Sequence, residues 1–132
     1  MVTLSSLRGT PIILHFYPKD DTPGCTKEAC AFRDAYAEFQ ERGAAIVGVS
    51  PDSADLHVRF KDKYSLPFVL LSDPEHEVAQ AYDVWREKTM YGRRRMGILR
   101  SSFVIDGDGV VTRAMYGVKP DGHADAVLSA LG

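Results

Sequence analysis

Three apolar runs of strand length, each followed by helix-patterned sequence, constrain this chain more than any other feature. Ile12-Ile-Leu-His-Phe-Tyr17, Ala44-Ala-Ile-Val-Gly-Val49 and Phe68-Val-Leu-Leu71 are short and largely unalternating, as expected of strands buried on both faces. A helix is predicted over 24–40, because Ala29, Phe32, Ala35, Tyr36 and Phe39 recur at spacings of three and four and so share one face. Gly43 stops it. A second helix is predicted over 54–64, capped by Ser53, with Leu56, Phe60 and Val58 on its apolar side. A short third helix is predicted over 75–82. Strand, helix, strand, helix in this rhythm argues for an α/β architecture with parallel crossovers.

Beyond residue 82 the pattern weakens. Residues 83–98 mix charges with Trp85, Tyr91 and Met96 as apolar anchors. A β-hairpin is then predicted over 101–105 and 110–116 around the turn Asp106-Gly-Asp-Gly109, followed by a helix over 121–131 with Ala124, Val127, Leu128 and Leu131 inward. Together these elements resemble a thioredoxin-like fold, a central mixed β-sheet with helices on both faces. A chain of 132 residues builds one core, so residues 1–132 are expected to form a single domain.

Sixteen Lys and Arg against eighteen Asp and Glu leave a net charge of -2, which supplies no overall field to hold nucleic acid or an anionic membrane. No apolar run approaches the roughly 20 residues of a spanning helix, and the first residues lack an export-signal pattern. A cytoplasmic protein is expected, in which two cysteines are chemical or inert rather than a permanent staple.

Those cysteines lie in Tyr17-Pro-Lys-Asp-Asp-Thr-Pro-Gly-Cys-Thr-Lys-Glu-Ala-Cys30. The segment joins the carboxyl end of the first strand to the first helix, where open α/β sheets place their sites. Cys25 falls in the helix's first turn, where free N–H groups and the helix dipole favour a thiolate, the reactive form. Cys30 is five residues on. Ideal helix geometry puts such Cα atoms roughly 8.6 Å apart, whereas a disulfide needs roughly 4.4 to 6.8 Å. If the two act together, the first turns must unwind after the first chemical step. The spacing also disfavours ordinary dithiol exchange through Cys-x-x-Cys and does not match a zinc site.

Pro18-x-x-x-Thr22-x-x-Cys25 resembles the active-site signature of the peroxiredoxins. The longer string from Phe16 to Asp34, together with Gly97-Ile-Leu-Arg-Ser-Ser-Phe-Val-Ile-Asp106 and Val118-Lys-Pro-Asp-Gly-His-Ala-Asp-Ala-Val-Leu128, is similar to the peroxiredoxin Q or bacterioferritin comigratory protein subgroup. The resemblance implies a peroxidase for hydrogen peroxide and organic hydroperoxides, recycled by thioredoxin or a similar dithiol reductant, monomeric, and without metal, haem or flavin. It implies that Cys25 is the peroxidatic cysteine and Cys30 the resolving cysteine of an intramolecular disulfide. Thr22 would bond thiolate and peroxide, Pro18 would shield the pocket, Arg100 would stabilise thiolate and leaving oxygen, and Glu28 would hold Arg100. The chain departs from the family at two points. It is N-terminally short, with only Val2-Thr-Leu-Ser-Ser-Leu-Arg8 before the first core segment. It also carries His15 where an aromatic residue such as tyrosine is usual, and His15 is expected to pack in the sheet beside the site.

Two other functions fit parts of the pattern: a general thiol-disulfide oxidoreductase, and a noncatalytic thioredoxin-like binding module. Other features carry no function. The stretch 86–100 holds six basic residues and one acidic residue without aromatic interleaving, and reads as a solvated loop. Asp106-Gly-Asp-Gly109 lacks the later ligands of a calcium loop. Trp85, Tyr82 and Tyr91 are expected to pack over the domain, and His57, His76 and His123 show no ligand pairing.

Overall fold

The structure, a computed structural model, describes residues 9–20, 23–90, 92–118 and 123–130. In chain order it contains β1 (Ile12–Phe16), α1 (Pro23–Asp34), α2 (Tyr36–Glu41), β2 (Ala45–Ser50), α3 (Ala54–Tyr64) and β3 (Val69–Ser72). There follow α4 (Glu77–Ala81), β4 (Trp85–Met90), β5 (Arg93–Ile98), β6 (Ser101–Ile105), β7 (Val111–Met115) and α5 (His123–Ala130). Five strands form one sheet in the order β3-β2-β1-β6-β7, and β4 pairs with β5 separately. β1 runs parallel to β2, and β2 to β3, while β6 lies antiparallel to β1 and to β7. This is the mixed, thioredoxin-like sheet expected from the sequence.

Alternation along the strands sorts the core into two layers. Ile13 and Tyr17 of β1 and its following loop, Ile46 and Val104 pack with Ala29 and Phe32 of α1, Phe39 of α2, Phe60 of α3 and Val127 of α5. Ile12, Leu14 and Phe16 face the other way, with Val47, Val49, Phe103 and Ile105, against Ala79 of α4 and Val84, Ile98 and the half-buried Trp85 around the β4–β5 hairpin. Helices therefore cover both faces, and the hairpin completes the second layer. Among the described residues no helix is long and apolar enough to cross a membrane.

Four local expectations are corrected. The run 68–71, expected as a central strand buried on both faces, forms β3 at the edge of the sheet, where Val69, Leu70 and Leu71 are half-buried and Ser72 is exposed. The helix 24–40 is divided into α1 and α2 at Ala35, which leaves helical geometry with φ -92 and ψ 2. On α3 the buried residues are His57 and Phe60, whereas Leu56 and Val58 are 41% and 57% exposed. The polar His57 takes the inner position because buried partners satisfy both its ring nitrogens. Residues 83–98 form a hairpin whose paired ends Trp85 and Ile98 reach the core, while Met96 is half exposed. Tyr91, Leu131 and residues 121–122 of the expected last helix lie outside the described residues.

Candidate active site

Sheet register brings the site together. His15 of β1 pairs with Ser102 of β6, and Phe16 pairs with Ser101. Arg100, one residue earlier, is thereby carried to the carboxyl end of β1, level with the loop that opens α1. Its parity matches Ser102 and Val104, which share the α1 side of the sheet with Ile13 and Tyr17. The arginine is thus aimed at the helix rather than at solvent. Its backbone is held from the other side, where Val118 N–H donates to its carbonyl at 2.9 Å.

Cys25 is the third residue of α1 and only 2% exposed. Arg100 Nη2 lies 3.1 Å from its Sγ, and Nη1 lies 3.0 Å from Glu28 Oε1. One guanidinium fork therefore spans the thiol and the carboxylate one turn below it, a two-point contact that the ammonium of lysine cannot reproduce. Glu28 has no solvent exposure. Burial pushes its carboxyl up, but His15 and then Arg100 outweigh this and hold it below the ordinary carboxylate value. Burial likewise opposes charge on Arg100, whereas Glu28 and Cys25 favour it and raise its value above that of a free guanidinium. A carboxylate and a guanidinium are thereby kept ionised beside a shielded sulfur. Such a centre can hold a thiolate and stabilise negative charge passing from sulfur to an adjacent oxygen.

Cys30 lies in the same helix, partly exposed, and both cysteines are free thiols. The helix from Pro23 to Asp34 is unbroken between them, so the ideal separation of roughly 8.6 Å applies. Pro18 is half-buried in the loop before α1. Thr22 lies outside the described residues. Of the six residues singled out in the sequence, the structure joins Cys25, Glu28 and Arg100 in direct contact and places Cys30 further along the same helix.

The sequence reading placed His15 in the sheet beside the site but missed its contact with Glu28. His15, 1% exposed, brings Nδ1 within 3.0 Å of Glu28 Oε1, but the approach is poorly directed for a hydrogen bond, and neither ring nitrogen nor Glu28 Oε2 has a hydrogen-bond partner. The contact is electrostatic. His15 also stacks on Tyr17 at 5.1 Å and packs against Phe32 at 5.0 Å. Ser102 Oγ meets His123 Nε2 at 2.6 Å. Burial lowers the His123 value, and the nearby Glu28 does not fully offset this. The usable signal was alternation: His15 lies between Ile13 and Tyr17 and so faces α1.

A thioredoxin-like sheet with a cysteine in the first turn of its first helix, clamped to an arginine from an antiparallel strand, defines a thiol-based redox enzyme. The AhpC/TSA family matches residues 1–114, and the chain belongs to it. Within that family it falls in the Bcp or peroxiredoxin Q subgroup. It is 50% identical over 130 residues to the peroxiredoxin Bcp of Bacillus subtilis, spanning 98% of this chain and 83% of that protein. It is 47% identical over 131 residues to a putative peroxiredoxin of Coxiella burnetii, spanning 99% and 87%. The bacterioferritin comigratory protein of Xanthomonas campestris, whose structures concern alkyl peroxide reduction, superposes with a TM-score of 0.94 at 45% identity, covering 98% of this chain and 83% of that one. The protein is accordingly a thiol peroxidase that reduces peroxides by cysteine chemistry.

Proposed function

We propose that Cys25 is the peroxidatic cysteine and Cys30 its resolving partner. The observation that carries this reading is the Arg100 fork, 3.1 Å from Cys25 Sγ and 3.0 Å from Glu28. The Cys25 thiolate attacks the terminal oxygen of a hydroperoxide. An S–O bond forms, the O–O bond breaks, and the expelled alkoxide or hydroxide takes up a proton. Arg100 follows the charge from sulfur to the departing oxygen, and Glu28 keeps its plane in place. Pro18 screens the sulfur from water, and Thr22 donates and accepts hydrogen bonds at the thiolate and the peroxide.

The Cys30 thiolate next attacks the Cys25 sulfenic acid. An S–S bond forms, and the hydroxyl leaves with a proton as water. Because both residues belong to one helix, its first turns must open for this step. The disulfide is reduced by thioredoxin or a similar dithiol, which closes the cycle without metal or bound cofactor. Hydrogen peroxide and organic hydroperoxides are the substrates, and the chain acts in the cytoplasm as a single-domain monomer. An intramolecular resolving thiol requires no second subunit. The test is peroxide consumption coupled to NADPH through thioredoxin and its reductase. The wild type is expected to turn over and Cys25→Ser to be inactive; equal rates for both would overturn the assignment.

A further inference from the structure

Directly before α1, the segment from Tyr17 to Asp20 is tied down by a buried polar cluster that peroxide chemistry does not use. Tyr17 N–H donates to Val49 O at 3.1 Å, and Tyr17 O–H donates to Asp20 Oδ1 at 2.5 Å. Asp20 N–H donates to Asp52 Oδ2 at 2.7 Å, and the same oxygen accepts Ser50 O–H at 2.7 Å. The other Asp20 oxygen, Oδ2, lies 2.6 Å from Nδ1 of His57 on α3, and His57 Nε2 lies 3.0 Å from Leu71 O of β3. Asp20 is 7% and His57 3% exposed.

The protonation of His57 follows from these partners. A carbonyl only accepts, so Nε2 carries the proton facing Leu71. With Asp20 ionised, Nδ1 donates to it as well, and the ring is then an imidazolium paired with a buried carboxylate. Removing either partner leaves the other with an uncompensated charge. The strand β3, the helix α3 and the loop into α1 are therefore joined through one ion pair.

We propose that His57 and Asp20 are positioning residues for the peroxidase cycle: a buried latch that holds the Tyr17–Asp20 segment down on α3 and thereby sets how readily the head of α1 unwinds to let Cys30 reach Cys25. The proposal rests on the resolving role assigned to Cys30. Closed, the latch keeps Cys25 in its Arg100 clamp. Opened, it favours the disulfide over further oxidation of the Cys25 sulfenic acid to sulfinic acid by a second peroxide, which transfers one oxygen to sulfur and leaves as water or alcohol.

The latch depends on pH. Burial opposes charge on His57, but the Asp20 contact outweighs it and raises the His57 value above that of a free imidazole. The titratable groups facing it are Asp20 and Tyr17 from the loop, Asp52 from the turn after β2, and Lys61 and Asp73 along the adjoining cleft. A raised folded value means that the stabilisation is complete below the free imidazole range and is lost as pH rises through the folded value. Rising pH therefore opens the latch.

The test compares wild type, His57→Leu and Asp20→Asn, the last being near-isosteric in case the leucine variant does not fold. Reduced protein receives one equivalent of hydrogen peroxide and is quenched over time with an alkylating reagent, and the Cys25–Cys30 disulfide is quantified by peptide mass spectrometry. Amide exchange of the peptide spanning 17–25 is followed in parallel. Because hydrogen bonds to charged groups are strong, the variants should form the disulfide about tenfold faster at mildly acidic pH and exchange faster over 17–25. The difference from wild type should narrow as pH rises. Disulfide rates and exchange equal to wild type in a folded variant, or an acceleration independent of pH, would overturn the latch alone. Absence of any Cys25–Cys30 disulfide in the wild type would overturn the resolving role of Cys30, and the latch with it.

Discussion

Arg100 carries most of the proposed chemistry, because a single side chain touches both the Cys25 sulfur and the Glu28 carboxylate. Lysine supplies charge but no fork, and methionine supplies neither. Arg100→Met is expected to slow peroxide reduction by about a hundredfold or more, the loss typical of removing one preorganised donor to developing negative charge. Arg100→Lys should recover only part of that loss. Stopped-flow measurement of the second-order rate with hydrogen peroxide checks both, with far-UV circular dichroism to confirm the fold; a lysine variant at the wild-type rate would contradict the two-point role. Cys25, Glu28 and Arg100 were all legible in the sequence because they sit in or beside motif strings. His15 and His57 were not legible as parts of polar clusters. Their partners, Glu28 and Asp20, lie 13 and 37 positions away, and only the packed sheet decides that a histidine faces a buried carboxylate rather than an apolar wall.

At the level of elements, β2 carries a glycine where the site needs room. Gly48 pairs with His15, and a Cβ placed on it would lie 2.8 Å from Leu70 Cδ2, 3.2 Å from Tyr17 Cε1 and 3.4 Å from His15 Cδ2. The missing side chain lets His15 and Tyr17 stack over the strand. Gly48→Ala is expected to destabilise the fold by about 1 to 3 kcal/mol through overpacking, measured as the shift in urea midpoint; an unchanged midpoint would mean that Leu70 yields freely. Other elements were legible in proportion to how much of them is buried. The runs at 12–17 and 44–49 announced strands because β1 is buried along its whole length and β2 nearly so. The β4–β5 hairpin was unreadable because most of its charged residues face solvent and only the Trp85–Ile98 end reaches the core. The division of α1 from α2 at Ala35 left no mark either, since the apolar spacing runs through it.

Across the whole molecule, two layers meet at one sheet, and the proposed cycle requires the first of them to be rigid for one chemical step and loose for the next. The Arg100 contact, made just before β6, and the His57 contact from α3 both meet the segment before and within the first turns of α1; in the proposed cycle one holds the sulfur and the other governs its release. The central claim is that Cys25 and Cys30, too far apart in the folded helix, react in sequence. Its most direct measurement adds one equivalent of hydrogen peroxide to the reduced wild type and to Cys30→Ser, traps sulfenic acid with a dimedone-type reagent, and maps the products by mass spectrometry. The account predicts a Cys25–Cys30 disulfide within one chain of the wild type, accompanied by loss of helical signal, and a Cys25 sulfenic acid adduct in the serine variant. A wild-type chain that consumes peroxide while both thiols stay reduced, or a sulfenic acid found on Cys30 instead of Cys25, would contradict it.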